Sequence, residues 1–200
     1  MMPDDLFRWL LLAGALMLLP AMLYFRLKSR TREPLDRRQE GLFILFTLRP
    51  IGLATLAGFF LYLASPSRMA WASAPFPLWL RWAGIAAGVA GGMLILWTMG
   101  TLGSNLTDTV VTRKKHTLVT NGPYRWVRHP FYDSVALWFA AVSLAAANWF
   151  LLAGGLATLA LLVVRTAAEE ERLVARFGES YRAYMSRTGR FLPRVRAARS

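Results

Sequence analysis

The chain has 200 residues, of which 56% are hydrophobic, with a formal net charge of +13, two histidines and no cysteine. That hydrophobic share lies outside ordinary water-soluble domains. The missing cysteine excludes disulfides, thiolate metal sites and cysteine nucleophiles, and two histidines thirteen positions apart argue against a histidine-built metal centre.

Leu6–Phe25, Gly41–Ala64 and Leu78–Met99 each supply the roughly 20 apolar residues needed to cross a ~30 Å hydrocarbon core. The first is preceded by Asp4 and Asp5 and followed by Arg26, Lys28, Arg30 and Arg32, with no small-residue cleavage site. It reads as a retained span rather than a signal peptide. The next stretch, Ser134–Val164, would be roughly 46 Å long as one helix; a hairpin turning near Asn148 is the alternative. Charge decides between them. The connector Arg26–Glu40 carries six Arg or Lys, the loop around His116 carries Arg113, Lys114, Lys115, Arg125 and Arg128, and Ser65–Pro77 carries only Arg68. Basic loops stay in the cytoplasm, and the eight arginines after Arg165 join them only if the chain turns back.

The expectation is an all-α polytopic membrane protein, one domain over residues 1–200. Its five spans fall at about 6–25, 41–64, 78–99, 130–147 and 149–165, with the N-terminus outside and the C-terminus cytoplasmic. The basic residues flank these spans, so anionic lipid rather than nucleic acid is their expected partner.

Gly84, Gly88 and Gly92 recur every four residues in the third span, with Gly91 alongside. Small residues on one helix face let a neighbouring backbone come close in lipid, so the stripe is expected to pack another helix. They follow no strand and so form no dinucleotide-binding turn. Arg49 lies well inside the second span, where an ionisable residue is either functional or snorkelling to the headgroups. Arg81, near the end of its span, is expected to snorkel.

The longest polar interruption between apolar spans contains HTLVTNGPYRWVRHPFY, residues 116–132. It gathers both histidines, a Gly-Pro turn and an Arg-His-Pro triplet, far more chemistry than a connector needs. After Arg165, Leu173, Phe177, Tyr181 and Tyr184 recur at helical spacing between arginines, describing an amphipathic helix at the membrane interface. Gly178 is the expected weak point in that helix. Arg165 and Glu170 stand where the last span leaves the bilayer. Five residues apart, they point in different directions.

These two segments resemble the isoprenylcysteine carboxyl methyltransferase family, a relative of the phospholipid N-methyltransferases. The resemblance rests on Gly-Pro-Tyr followed by Arg-His-Pro-x-Tyr, with Asn105 upstream in GSNLTDTVV. It continues through Arg165, Glu169, Glu170, Leu173, Phe177, Gly178, Tyr181, Tyr184 and Pro193. It covers about the C-terminal half. Ser134 stands where members usually carry glycine, and Asp133 adds a charge beside the loop.

The resemblance implies an integral-membrane enzyme using S-adenosylmethionine without a Rossmann domain, with cofactor-binding segments at 101–133 and 165–194. His116, Leu118, Val119, Gly122, Tyr124, His129, Pro130, Tyr132 and Glu170 would line the cofactor. Arg165 and Glu170 would be the functional pair near the reacting groups, with Arg165 and Asn105 toward the substrate; Arg49 is added to the substrate side only for its place inside the second span. Methyl transfer from a sulfonium needs alignment and dryness rather than a metal or a covalent nucleophile. A carboxylate acceptor, as in an isoprenylcysteine, suits Arg165. An amine-headed phospholipid would use Glu170 as its acidic partner. A sterol-type reductase binding NADPH is a third reading, and a lipid-binding scaffold a fourth.

Overall fold

The computed structural model describes residues 3–29, 44–103 and 117–194. His116, Asn105 and the basic runs at 30–43 and 113–115 lie outside the described residues.

Helix α1 spans Pro3–Lys28, α2 Arg49–Ala64, α3 Leu78–Leu102, α4 Pro130–Ala146, α5 Trp149–Phe177 and α6 Glu179–Arg187. A π-helical turn, Ile44–Leu48, leads into α2, and short 3-10 segments occupy Pro66–Ala72 and Gly122–Arg125. Among the described residues there is no strand, only two isolated bridges. Helices α1, α3 and α5, and α2 with the end of its π turn, are long and apolar enough to cross a membrane; α4 is apolar but shorter. Large apolar side chains such as Leu16, Met17, Met93 and Val164 point outward. Their setting is hydrocarbon rather than water. The protein is a polytopic all-α membrane protein.

Helix α3 packs most closely on α4, and its glycines explain why. A Cβ on Gly84 would come within 2.7 Å of the Ala145 backbone nitrogen and 2.9 Å of the Ala141 carbonyl oxygen. Gly88 and Gly91 also face α4, against Ala141 and Leu137, whereas Gly92 turns toward Leu18 of α1. The stripe is therefore a packing seam, with its fourth member turned to a different neighbour.

The chain reverses at Ala147 and Asn148. Ala147 adopts a left-handed conformation (φ 49°) that closes α4, and the Asn148 side chain accepts the Leu151 N–H at 3.1 Å to start α5. Arginines fasten this end of the bundle. Arg8 Nε donates to Leu63 O at 2.6 Å, at the end of α2. Arg81 was expected to snorkel; instead it is only 6% exposed. Its Nε donates to Ala145 O at 3.0 Å, its NH1 pairs with Asp4 at 2.6 Å, and its guanidinium lies over the Phe7 ring. Packing of α1 and α4 around the start of α3 closes its route to the headgroups.

At the opposite end α5 runs on past Arg165. Its 29 residues make about 43 Å of helix, well beyond a ~30 Å core, so its last turns project from the membrane. They carry Glu169 and Glu170. Gly178 (φ 55°) breaks the helix and sets α6 at a new angle. The expected interfacial helix is thus two pieces, and Tyr181 and Tyr184 are both 2% exposed. Their side chains bury in protein, against the loop before α4.

A buried carboxylate cluster beside an apolar cavity

The loop between α3 and α4 is shaped by its glycine and prolines. Gly122 has φ 55°, and a Cβ there would lie 2.6 Å from Thr101 Oγ1 of α3. Only glycine meets both demands. Pro123 starts the 3-10 turn that carries Tyr124. Pro130 restricts the residue before it, so His129 stays non-helical (φ −124°) and α4 begins at the proline.

The C-terminal segment pairs with this loop like a strand. Val127 bridges Gly189 in parallel, Arg128 N donates to Gly189 O at 2.8 Å and His129 N to Arg190 O at 3.1 Å. The Tyr184 hydroxyl donates to Tyr124 O from below. Burial pushes the Tyr184 phenol up to about 12, with Arg128 and Arg187 opposing, so it remains a donor. Burial, followed by the charge of Glu169, likewise raises Tyr124.

Glu170 lies at the centre, 3% exposed. Its Oε1 accepts from Arg128 Nε at 2.8 Å and lies 3.1 Å from His129 Nε2; its Oε2 accepts from Arg190. Burial pushes this carboxyl up, but the hydrogen bonds from His129, Arg190 and Arg128 outweigh it and hold Glu170 well below the usual carboxylate range. An ionised carboxylate only accepts, so His129 presents Nε2–H to it. Arg128 also donates to the carbonyls of Thr188 and Met185, at the end of α6, where a cation is favoured.

A second group adjoins the first. Tyr132 donates to Glu169 Oε2 at 2.7 Å and its ring stacks on His129, 5.4 Å between centroids and 7° between planes. Arg165 is close enough to act on the Tyr132 phenol electrostatically, and its Nε is buried with no hydrogen-bond partner among the described residues.

Beside these groups opens a cavity of about 810 Å³ between α3, α4, α5 and the C-terminal segment. Leu94, Leu137, Phe139, Leu156, Phe191 and Leu192 are among its walls, and Asp133 is the single ionisable lining residue among the described residues. Phe191 also meets the His129 ring, 5.8 Å between centroids.

The structure therefore brings His129, Pro130, Tyr132, Glu170 and Arg165 to one end of the bundle, with Gly122 and Tyr124 in the adjoining loop. Leu118 and Val119 lie half-buried earlier in that loop. Arg49 is exposed at the start of α2. Arg128, Arg190 and Glu169 are site residues to which sequence reasoning gave no role. The Arg-His-Pro triplet pointed to Arg128, but no pattern distinguished Arg190 among the tail arginines.

Residues 84–175 match the Isoprenylcysteine carboxyl methyltransferase (ICMT) family. The protein-S-isoprenylcysteine O-methyltransferase of Dictyostelium discoideum is 36% identical over 112 residues, 54% of this chain and 46% of that protein. Those of Xenopus laevis and Homo sapiens are each 33% identical over 124 residues, 60% of this chain and 43% and 44% of theirs. The aligned part is thus less than half the length of these relatives. The solved structure of the eukaryotic intramembrane Ras methyltransferase ICMT superposes with a TM-score of 0.55 at 27% identity, covering 72% of this chain and 51% of that one. The matched segment contains Arg128, His129, Tyr132, Arg165, Glu169 and Glu170, and it is through this segment that the chain is similar to the isoprenylcysteine carboxyl methyltransferase family.

Proposed function

We propose that the protein is an integral-membrane methyltransferase that moves a methyl group from S-adenosylmethionine to the carboxylate of an isoprenylcysteine-like acceptor. The observation that carries this reading is adjacency. A water-poor cluster of charged and aromatic groups abuts an almost wholly apolar cavity, and Phe191 belongs to both. A polar cofactor suits the first and a lipid chain the second. The relatives bear the name of this reaction, and basic loops favour a cytoplasmic site.

The residues present fit such a cofactor. Arg165 Nε is a buried donor still lacking a partner among the described residues, and the Arg190 side chain is 42% exposed while it holds Glu170. Tyr124, Tyr132 and Glu169 add hydroxyl and carboxylate groups. His129, Pro130, Tyr132 and Glu170, with Gly122, Tyr124, Leu118 and Val119 of the loop and His116 before it, are the proposed cofactor residues. When bound, the cofactor supplies an electrophilic methyl group and its own leaving group.

The chain's own work is positioning. Glu170 fixes Arg128, His129 and Arg190 so that the loop and the C-terminal segment stay closed over the site. Arg165 offers its fork to the acceptor carboxylate, with Asn105 and Arg49 as further proposed substrate contacts. The cavity walls exclude water and hold the lipid chain, so the acceptor oxygen is presented in line rather than activated by a base. No metal is needed, and the described residues contain no cluster suited to one.

The test is calorimetry of S-adenosylhomocysteine with the detergent-purified protein, NADPH as the comparison and Glu170→Gln as the control. Labelled methyl transfer to an S-prenylated cysteine follows. Micromolar binding weakened in the variant, with base-labile label in the product, is the expected result. Base-stable label would move the reaction to nitrogen. NADPH binding without S-adenosylhomocysteine binding would overturn the methyltransferase reading for a reductase.

A further inference from the structure

Arg190 differs from Arg128 in where it stands and in how little of it is used. It precedes Phe191 in the C-terminal segment; Phe191, Leu192 and Pro193 line the cavity, whereas Arg190 does not. Its side chain is 42% exposed, against 8% for Arg128, so it stands at the edge of the cluster that meets water. One terminal nitrogen donates to Glu170 Oε2. The rest of its fork has no hydrogen bond or ion pair among the described residues. Its backbone is nevertheless held in place. His129 N donates to the Arg190 carbonyl and Arg128 N to that of Gly189, and a Cβ on Gly189 would run into the Leu192 carbonyl. Arg128, Arg165 and Arg190 outnumber Glu169 and Glu170, which leaves these groups with at least one positive charge in excess.

We propose, on the basis of the methyltransferase reading, that Arg190 binds the α-carboxylate of the cofactor's amino-acid end with the free part of its fork while Glu170 holds the other part. S-adenosylmethionine joins a nucleoside to an amino acid, and only the amino acid bears a carboxylate. A carboxylate is costly to strip of water unless it is paired, so this end belongs at the edge of the cluster open to water. A guanidinium meets a carboxylate through two parallel N–H bonds, and one held in place beforehand loses less freedom on binding. Arg128 cannot supply this contact, because it is buried and spans Glu170, Met185 and Thr188. Arg165 stands near Tyr132, and in the same reading its partner is the acceptor's carboxylate. An anion at Arg190 balances the excess positive charge.

Calorimetry of two ligands with the detergent-purified protein tests this without turnover. They are S-adenosylhomocysteine and its decarboxylated analogue, which keeps the adenosine, the sulfur and the amine. The unaltered protein should bind the first about tenfold more tightly, as one charge-assisted contact implies. Arg190→Ala should bring the two within about twofold by weakening S-adenosylhomocysteine alone. Unchanged affinity for the decarboxylated analogue shows that the variant folds and that the C-terminal segment stays closed. Arg190→Lys should keep part of the preference. Three results would overturn the role of Arg190 and leave the methyltransferase reading standing: equal affinities in the unaltered protein, a preference that survives in Arg190→Ala, or equal weakening of both ligands there. Binding of neither ligand by folded protein would overturn that reading, and this assignment with it.

Discussion

Arg128 and Glu170, 42 residues apart in sequence, meet through a single 2.8 Å contact between Nε and Oε1, with both side chains less than a tenth exposed. Through this pair the loop before α4 is fixed to the projecting end of α5. Arg128 continues from there to the end of α6, so one guanidinium joins three segments.

Removing the carboxylate should therefore cost more than removing any one of its partners that reaches water. Glu170→Ala leaves a buried arginine and a buried histidine without their acceptor, and losing one partner of a buried pair typically costs about 3–5 kcal/mol. Arg190 reaches Glu170 from a side chain that is 42% exposed. Its pair is screened, so Arg190→Ala should cost about 1 kcal/mol or less. Thermal midpoints of the two variants in the same detergent compare them. Equal losses would mean that Glu170 is not the hub.

The pH dependence has a definite sign. Despite the opposing push of burial, hydrogen bonds from His129, Arg190 and Arg128 hold Glu170 below the ordinary carboxylate range. Its contribution to stability is fully present above the unfolded value of about 4.3. It is lost as pH falls through the lowered folded value. The midpoint should be level from about pH 5 upward in this respect and decline below about pH 4. Glu170→Gln should have a lower midpoint at neutral pH and a shallower acid decline. A variant that declines as steeply as the parent would assign the acid sensitivity to other carboxylates.

Two glycines of one stripe should respond in opposite directions. At Gly84 a new Cβ meets backbone atoms of α4 at 2.7 and 2.9 Å, which cannot move aside without shifting the helix. Gly84→Ala should destabilise by about 1–3 kcal/mol. At Gly92 the nearest atoms are the tips of Leu18, 3.9 Å away. Gly92→Ala should be neutral or stabilise by up to about 1 kcal/mol, since glycine is a poor helix residue. Thermal midpoints in detergent distinguish the two.

Much of this architecture is legible in the sequence because membrane spans obey simple rules of length and charge. The arginines after Arg165 imply the turn at Asn148 through the positive-inside rule rather than through any turn signal. The Arg-His-Pro-x-Tyr and Glu169–Glu170 patterns direct attention to residues that the fold does bring together. What is not legible depends on distant packing. Arg81 obeys the local rule for snorkelling, but α1 and α4, remote in sequence, cover it. Arg190 gains its place from the backbone pairing of Gly189 with Val127, which leaves no periodic trace. Tyr181 and Tyr184 have the spacing of an interfacial helix, and only the break at Gly178 turns them into the protein.

If the cavity holds the acceptor and the Glu170 cluster the cofactor, one substitution should separate the two ligands. Ala140 lines the cavity from α4, two turns beyond the Pro130–Asp133 turn that adjoins the cluster. A tryptophan there projects a large ring into the space between α4 and α5 without touching Arg128, His129, Arg165 or Glu170. Ala140→Trp should raise the acceptor KM by at least tenfold and leave the Kd for S-adenosylhomocysteine within twofold of the parent. A shorter prenyl chain should suffer less than a longer one, because the obstruction lies away from the reacting end. Loss of both ligands together would mean that the cavity and the cluster are one binding site rather than two.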